Sequence, residues 1–529
     1  MLNINKENFY EVNTDTFQFN AGIIGFIYAM EANQKTKGVD YDYDDNTLYI
    51  NKDLLNQDLA SMYINAVLEK YADKSIVTKL LTSEFDSMDL KAMSNFDQFC
   101  KRKTVKNTCV LLKQQNLTAL FESFSKEKDE ESKRRLGKEI INIVESDGQL
   151  KTHILLGDIF FMKFSVVFNN FAFLKKNKGT YNLNCNEIFE KQLDDAVFNP
   201  LRNDAEPKKT GTGRCFQCDG LLKTEKIEMT FIRDCVADMH KKTSTFWNKV
   251  SDTYICPLCN MIYSFMPLGF SNVGGKSLVF VNVNDNIEYM KHLNYIVLSS
   301  EDKDVYYVTY NSVISKLVDL RLKHINQMQI IMKDVDNHYL ISNISKDKFE
   351  IIRQGERNLK LLANTYVKDG ENYINVYAEA INNIINGRNQ FDLVYKLIKL
   401  EFNYTYKILN ILLLQIIKKN LNTEVDMEKQ FGVAYVAKKY GNELRNTIGI
   451  DADNKLRGFV YQLLNAVHSN NIELYCDRII RMYVGMQKPI PDIFINGFKG
   501  EEEFKTIGYA YILGLKGEEI NKGDKNNEK

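Results

Sequence analysis

Residues 256–270, CPLCNMIYSFMPLGF, join a cysteine pair to an apolar run that ends in a proline–leucine–glycine–phenylalanine turn. A second pair, CFQC, lies at residues 215–218. Each CxxC pair places two thiolates on one tight turn, and two such turns can close a tetrahedral cage around Zn²⁺. Pro257, between two of the cysteines, and Gly220, just after the other two, suit such turns. The predicted zinc ligands are Cys215, Cys218, Cys256 and Cys259.

The spacing of the pairs also indicates what kind of site this is. Residues 219–255 separate them, a longer stretch than in a compact zinc ribbon, so the metal is expected to staple a sizeable insertion. Four thiolates fill the coordination shell of Zn²⁺ and leave no open position for catalysis. We therefore predict a structural zinc site. The alternative is two unrelated pairs of redox or core thiols.

Outward from the cysteines, the chain divides into an α+β part and an all-α part. Short β-like runs and helical runs mix before the cysteines, and from about residue 392 apolar residues recur at helical spacing. The latter pattern predicts a C-terminal bundle of about four or five helices. We expect an N-terminal α+β domain at 1–200, a zinc-stapled insertion with a glycine-rich loop at 201–285, the remainder of the N-terminal domain at 286–391, and the helical bundle at 392–529.

Several single elements are predicted from periodicity. Residues 47–50 and 277–283 (SLVFVNV) have the composition of strands. Residues 64–81 and 313–332 predict helices, and helical spacing continues from Val394 to Leu412.

The composition excludes several classes of protein. Of 529 residues, 44% are apolar and 26% are charged, as in a globular protein with a large core. The 69 basic residues balance 69 acidic ones, so contacts with nucleic acid must come from local patches or from partner subunits. The start, MLNINKENFYEV, has no secretory signal, and the apolar stretch at 408–417 is too short to span a bilayer. With nine cysteines, an odd number, we expect a cytoplasmic protein without membrane contact.

The segment at residues 269–277, GFSNVGGKS, comes close to a phosphate-binding P-loop but differs from it in register. The motif requires its first glycine where Phe270 stands, and Gly269 lies one position too early. Nucleotide binding is therefore not expected. The backbone of such a turn can still approach a phosphate closely, with Asn272 and Lys276 beside it. An ordinary loop without a function is the open alternative.

Three carboxylates, Asp42, Asp44 and Asp45, are compatible with a metal-dependent nuclease, because side chains two apart on a strand point the same way. The more ordinary interpretation is a hairpin turn. The chain has no HExxH motif, and its six histidines are scattered. We therefore expect a protein that is not an enzyme, with the nuclease as the alternative.

Basic side chains in the helical region form a second candidate surface. Exposed point charges are sufficient for phosphate contacts, although most charged runs are simply solvated helix faces. Together with the glycine-rich turn and the cysteine pairs, they favour nucleic acid as the partner. The candidate residues are Lys438, Lys439, Arg445, Arg457, Arg478 and Arg481.

Three stretches together resemble a known family. They are FNAGIIGF at residues 19–26, the cysteine-pair stretch at 256–270, and LLNAVHSNNIELYCDRIIRMYVGMQKPIP at 463–491 followed by FKTIGYAYILGL at 504–515. Their order and spacing resemble the large subunit of the type I-B CRISPR interference complex, Cascade. Leu268 stands where that family is expected to have a smaller residue.

The resemblance implies a non-catalytic subunit of an RNA-guided antiviral complex. Such a subunit reads a short flanking motif (the PAM) on duplex DNA, helps to open the strands, stabilises the R-loop and recruits a separate helicase–nuclease. Target sequence is read by base pairing, while protein reads the flanking motif and the backbone. The implied partners are guide RNA, target duplex, and the other Cascade backbone, handle-binding and small subunits. The C-terminal helical region is expected to resemble the Cascade small subunit.

Specific roles within this frame are our hypotheses. Asn272 and Lys276 are expected to reach a DNA groove, and Phe270 to wedge against an unstacked base. The six basic residues of the helical region are expected to follow the displaced strand. Asn20, Gly22 and Gly25 serve either close packing, which we favour, or contact with the RNA handle. The alternatives from other classes are the metal-dependent nuclease and a purely structural zinc scaffold.

Overall fold

The computed structural model describes residues 6–82, 90–101, 116–168, 185–203, 213–222, 227–233, 254–273, 277–295, 309–310, 327–333, 339–421, 423, 427–448 and 453–517. The chain forms two compact units. The first unit contains Met1–Val297 and Ile330–Ile341, and the second contains Leu298–Gln329 and Ser342–Lys529. The finer four-part division stays a prediction from the sequence. No helix within the described ranges has the length and apolar character needed to cross a membrane.

The first unit begins with a small antiparallel sheet. Its middle strand pairs on both sides, with Val12 opposite Leu48 and Tyr41 opposite Ile50. All four side chains are buried, so one face of the sheet belongs to the core. The strands are β1 (Phe9–Asn13), β2 (Tyr41–Tyr43) and β3 (Thr47–Asn51), in the order β1-β3-β2. The strand expected at residues 47–50 is confirmed.

Two further sheets lie near the cysteine pairs in sequence. A short antiparallel pair leads directly into Cys256, and a four-stranded sheet of order β6-β7-β8-β9 follows the second pair. The strands are β4 (Ile227–Glu228), β5 (Tyr254–Ile255), β6 (Ser271–Val273), β7 (Ser277–Asn282), β8 (Gln327–Lys333) and β9 (Tyr339–Ser345). Strand β7 confirms the expectation for residues 277–283.

Helix α1 (Phe17–Ala32) lies at the centre of the first unit. Thr16 caps its first turn by accepting a hydrogen bond from the backbone N–H of Phe19. Every residue from Phe19 to Ile27 is buried, as in a helix covered on all sides. The other helices of this unit are α2 (Leu59–Tyr71), α3 (Ile76–Leu81), α4 (Leu90–Lys101), α5 (Leu117–Lys126), α6 (Glu130–Ser146), α7 (Gly148–Ile159), α8 (Ser165–Val167), α9 (Cys185–Leu193), α10 (Asn199–Arg202), α11 (Pro257–Ser264), α12 (Met266–Gly269) and α13 (Ile287–Asn294).

The second unit combines a β-hairpin with many helices. The hairpin pairs β10 (Tyr366–Asp369) with β11 (Asn372–Asn375) and turns at Gly370, whose positive φ favours glycine. The helices are α14 (Lys346–Gln354), α15 (Glu356–Lys360), α16 (Val376–Ile385), α17 (Phe391–Lys399), α18 (Thr405–Asn420), α19 (Met427–Ile448), α20 (Asp453–His468), α21 (Ile472–Gly485), α22 (Ile493–Asn496) and α23 (Glu501–Lys516). The helical C-terminal region expected from the sequence is confirmed.

Three expected elements differ in the structure. The helix expected at 64–81 is divided into α2 and α3, because Ser75 starts a new helix by accepting a hydrogen bond from a backbone N–H. The helical spacing from Val394 to Leu412 is divided between α17 and α18, with Glu401 in a left-handed conformation at the break. A helix was expected at 313–332, but the last part of this range lies in strand β8. Periodicity does not separate short buried strands from helices. Residues 313–326 lie outside the described ranges.

Candidate metal centre

The four cysteines predicted to bind zinc lie together. Cys215 and Cys218 share one turn, while Cys256 caps helix α11 and Cys259 lies in its first turn. The four sulfur atoms lie within 4.8 Å of one another, and those of Cys218 and Cys256 are 3.8 Å apart. A tetrahedral site with Zn–S bonds of about 2.3 Å has sulfur–sulfur separations of about 3.8 Å. The cluster can therefore hold a metal ion and is consistent with zinc.

Backbone contacts bring the two cysteine pairs together. The N–H of Cys215 donates to the carbonyl of Gly220 at 2.8 Å and closes the first turn. The N–H of Phe216 donates to the carbonyl of Tyr254 at 2.9 Å, which joins this turn to β5 just before the second pair. Pro257 then begins α11, where the N–H it lacks has no partner within the helix. The end of the stretch between the two pairs therefore lies next to the first pair.

Hydrogen bonding shifts the pKa values of the clustered thiols in opposite directions. The N–H of Cys256 donates to the sulfur of Cys215 at 3.2 Å. Hydrogen bonds from Cys218 and from the second pair lower the pKa of Cys215, whereas hydrogen bonding with Cys215 raises the pKa of Cys256 and of Cys259. Neighbouring thiolates repel one another, so all four ionise together only around a cation such as Zn²⁺.

Helix α1 lies directly against the helices that follow the second cysteine pair. Gly22 faces the backbone carbonyl of Ile262, and Gly25 faces that of Phe265. A methyl group at either glycine would overlap the facing carbonyl oxygen, so the two backbones touch with no side chain between them. Asn20, Gly22 and Gly25 are all buried, which fits the packing interpretation of their motif. Contact with the RNA handle stays a prediction.

Helix α2 supplies three hydrogen-bond donors to the end of α11 and to the short helix α12. Carbonyl groups at a helix end lack partners within the helix, so these donors satisfy groups that burial would leave unpaired. The pairs are the Tyr63 hydroxyl with the Ser264 carbonyl at 2.7 Å, the Tyr71 hydroxyl with the Pro267 carbonyl at 2.6 Å, and the Lys70 ammonium with the Leu268 carbonyl. Sequence reasoning misses these donors, since no local pattern links α2 with a segment so much later in the chain.

We expect Lys70 to make stability depend on pH. Burial lowers the pKa of its ammonium to about 7, and repulsion from Lys74 adds to this. Because the folded pKa lies below the unfolded one, the charged group costs stability at pH 7, and the cost is relieved as the pH rises towards 10. Between about pH 7 and 9, the thermal midpoint should therefore increase with pH because of this group. Lys70→Met should remove that part of the increase. Lys128→Met, at an exposed position, should keep the native pH dependence. Identical pH profiles for Lys70→Met and the native chain would contradict the assignment.

Phe270, expected to wedge against an unstacked base, lies in the core of the first unit. Its side chain is fully buried, and its ring packs against Phe280 with centroids 5.6 Å apart. To wedge between bases, this ring would have to leave the core, and the wedge role stays a prediction. Asn272 lies in β6, and Lys276 lies outside the described residues. Their DNA contacts stay predictions.

The six basic residues of the helical region divide by position. Lys439, Arg457 and Arg481 are exposed on α19, α20 and α21. Lys439 lies 3.8 Å from Glu443, and Arg481 lies 2.8 Å from Asp477. Pairs at exposed positions are weak and leave the cations available to other anions.

The other three basic residues are half-buried. Arg445 donates to the carbonyl of Leu515 at 3.2 Å, at the end of α23, where a cation complements the helix dipole. The Nε of Arg478 is buried, with no hydrogen-bond partner among the described residues. Lys438 is also half-buried. Arg445, Arg478 and Lys438 are thus less exposed than the other three, and contact of all six with the displaced strand stays a prediction.

The acidic turn of the nuclease alternative has a structural role. Asp44 accepts a hydrogen bond from the N–H of Thr47 at 2.8 Å, and Asp45 accepts one from the side chain of Asn286 at 2.7 Å. Asp42 is buried. In the part of the chain that the structure describes, the cysteine cluster is the one group of three or more potential metal ligands. The hairpin interpretation fits these contacts, and the absence of catalysis stays a prediction.

Comparison with known proteins identifies a family match around the cysteine pairs. A family model described as CRISPR-associated protein (Cas_CXXC_CXXC) matches residues 208–271. The matched stretch contains both cysteine pairs and helices α11 and α12, and it ends at the first residue of β6. The match supports a CRISPR-associated protein without specifying the type I-B large subunit. No curated protein and no solved structure matches the chain significantly.

Proposed function

We propose that the chain is the non-catalytic large subunit of a type I-B RNA-guided CRISPR surveillance complex. In this role it recognises the flanking motif on double-stranded DNA, helps to unwind it and stabilises the R-loop. It then recruits a separate helicase–nuclease. Its partners are guide RNA, target duplex, and the backbone, handle-binding and small subunits of Cascade, in the cytoplasm.

One observation carries this proposal. The four-cysteine cluster lies within the stretch that matches a CRISPR-associated family, and the helices after it pack against the FNAGIIGF motif of helix α1. Two of the three stretches that resemble the large subunit are therefore one packed structure. This arrangement supports the resemblance more strongly than either motif alone.

The chemistry of the candidate sites supports a binding role. Four cysteines leave Zn²⁺ no open position for a water or a substrate, so the metal would stabilise the fold without performing a reaction. Lys439, Arg457 and Arg481 are exposed and suit contacts with a DNA backbone. The β6–β7 hairpin carries the glycine-rich turn with Lys276, our candidate for contact with the flanking duplex.

The test compares complexes assembled with and without this chain. Binding is measured to a target duplex with either the correct or a scrambled flanking sequence. We expect tight binding only when both the chain and the correct flank are present. Lys276→Ala should weaken binding to the correct flank by about 5- to 100-fold, the range of a lost groove contact, whereas Lys128→Ala should leave it unchanged.

Two results would contradict the proposal. Equal binding without the chain would exclude a recognition role and leave the structural zinc scaffold. Cleavage of DNA by the purified chain with Mg²⁺ or Mn²⁺, lost in Asp44→Ala, would establish the nuclease instead.

A further inference from the structure

Gln217 connects the cysteine cluster with the start of helix α1. It lies between the first two cysteines, and its amide nitrogen donates to the carboxylate of Asp15 at 2.6 Å. Its amide oxygen accepts a hydrogen bond from the hydroxyl of Tyr263 on α11. Gln217 is thus held from two sides. A metal that fixes the turn at residues 215–218 would also fix the direction of this amide.

Asn20 extends the connection into the interior of α1. Its side-chain oxygen accepts a hydrogen bond from the N–H of Asp15 at 2.8 Å, and its nitrogen donates to the carbonyl of Asp15 at 3.1 Å. A backbone N–H only donates and a carbonyl only accepts, so these two bonds determine which way the amide faces. The same nitrogen lies 2.8 Å from the side-chain oxygens of Asn282 and Asn284. Asn20 and Asn282 are buried, where an unpaired amide is costly.

The connection ends at the hairpin that carries the glycine-rich turn. Asn282 is the last residue of β7, and β7 pairs with β6 in the register that places Ser271 opposite Val279. Residues 274–276 join the two strands. We call Gln217, Asp15, Asn20, Asn282 and Asn284 the amide relay. All five lie in the first unit.

We propose that the amide relay couples metal loading to the position of the β6–β7 hairpin. Gln217 and Asn20 are then positioning residues for strands β6 and β7 and, through these strands, for contact with duplex DNA. The DNA part of this inference rests on the proposed function, but the coupling does not. Without the Gln217 amide, the Asp15 carboxylate loses a donor, and the backbone that holds Asn20 is less constrained.

The first test measures hydrogen exchange in the zinc-loaded full chain. Gln217→Met keeps the length of the side chain and removes its amide. We expect this variant to retain the native metal content, while amides of Ser277–Asn282 exchange about five- to tenfold faster, as for the loss of one hydrogen bond. Phe216→Ala, the neighbouring position in the same turn, should exchange as the native chain does. Native exchange rates in Gln217→Met with full metal content would overturn the coupling.

A double-mutant cycle separates a relay from two independent contacts. Asn284→Ala removes the far end, and Gln217→Met removes the near end. Independent contacts give a combined acceleration of exchange equal to the product of the two single effects. A relay gives less than this product by more than about twofold, because either change already breaks the connection. A combined effect equal to the product would overturn the relay.

The DNA part is tested in the assembled complex. Gln217→Met should weaken binding to the duplex with the correct flank about fivefold and leave binding to the scrambled flank unchanged. Unchanged affinity together with faster exchange would overturn the positioning role while the coupling stands. If the native complex ignores the flank, the proposed function fails, and the exchange experiment still decides the coupling.

Discussion

Replacing Cys259 with serine is expected to remove the metal and to lower the free energy of unfolding by about 3 kcal/mol or more. Cys259 is buried in the first turn of α11, and α11 packs against the central helix α1. A serine hydroxyl is a far poorer zinc ligand than a thiolate, so the site would retain three ligands around a weakly held ion. The loss of stability should affect both the cysteine turns and the core of the first unit.

Metal content and thermal unfolding of untagged protein test this prediction. Native protein should carry about one zinc ion per chain, and a chelator should lower its thermal midpoint as the substitution does. A reductant is needed, because the sulfurs of Cys218 and Cys256 are close enough to be oxidised once the metal has left. Cys476→Ser, in the second unit and outside the cluster, should retain the metal and serves as the control. Native protein without metal, or Cys259→Ser with full metal content, would contradict the site.

The cysteine cluster was predictable because each cysteine pair is a local turn. The spacing of Cys215 with Cys218, and of Cys256 with Cys259, determines the geometry of each half of the site whatever the remaining fold. Only the meeting of the two halves needed tertiary information. The backbone hydrogen bond between Phe216 and Tyr254 supplies it, and no periodic pattern predicts that bond.

Burial was the less predictable property. Phe270 was expected to wedge against an unstacked base, a role that needs an accessible ring, yet its neighbours in the fold enclose it completely. Arg445 likewise looks like a surface charge in sequence but donates to a carbonyl at the end of another helix. The partners of both residues come from distant parts of the chain, so a local pattern cannot distinguish a buried position from an exposed one.

The helical C-terminal region was predictable for the opposite reason. Apolar residues of α19, α20 and α21 repeat at helical spacing over three or more turns, and this signal is local and strong. Strand β8 is short and almost continuously buried, so its pattern matched a helix equally well.

Gly25→Ala is the second change for which we expect a large effect, a loss of about 3 kcal/mol in the stability of the first unit. The added methyl group would overlap the carbonyl oxygen of Phe265 and lie 2.8 Å from the backbone nitrogen of Gly269. Both neighbours are backbone atoms, so no side-chain rotation can make room. Helices α1 and α12 would have to move apart and leave poorly packed apolar surface between them.

Gly157→Ala is the matched control for this change. Gly157 also lies in a helix of the first unit, but a methyl group there would meet no atom within 4 Å. Alanine is favoured over glycine in a helix by about 0.5–1 kcal/mol, so this variant should be at least as stable as the native chain. The two substitutions add the same group and differ only in the space around it.

Thermal unfolding of the two variants, before and after guide RNA is added, also distinguishes the two interpretations of the FNAGIIGF motif. A packing role predicts a lower midpoint for Gly25→Ala in the free chain, because the overlap with Phe265 exists without RNA. A role confined to the RNA handle predicts a native midpoint in the free chain and weaker assembly once RNA is present. The second result would contradict the packing argument. It would imply that the first unit rearranges and so exposes the buried face of α1 to RNA.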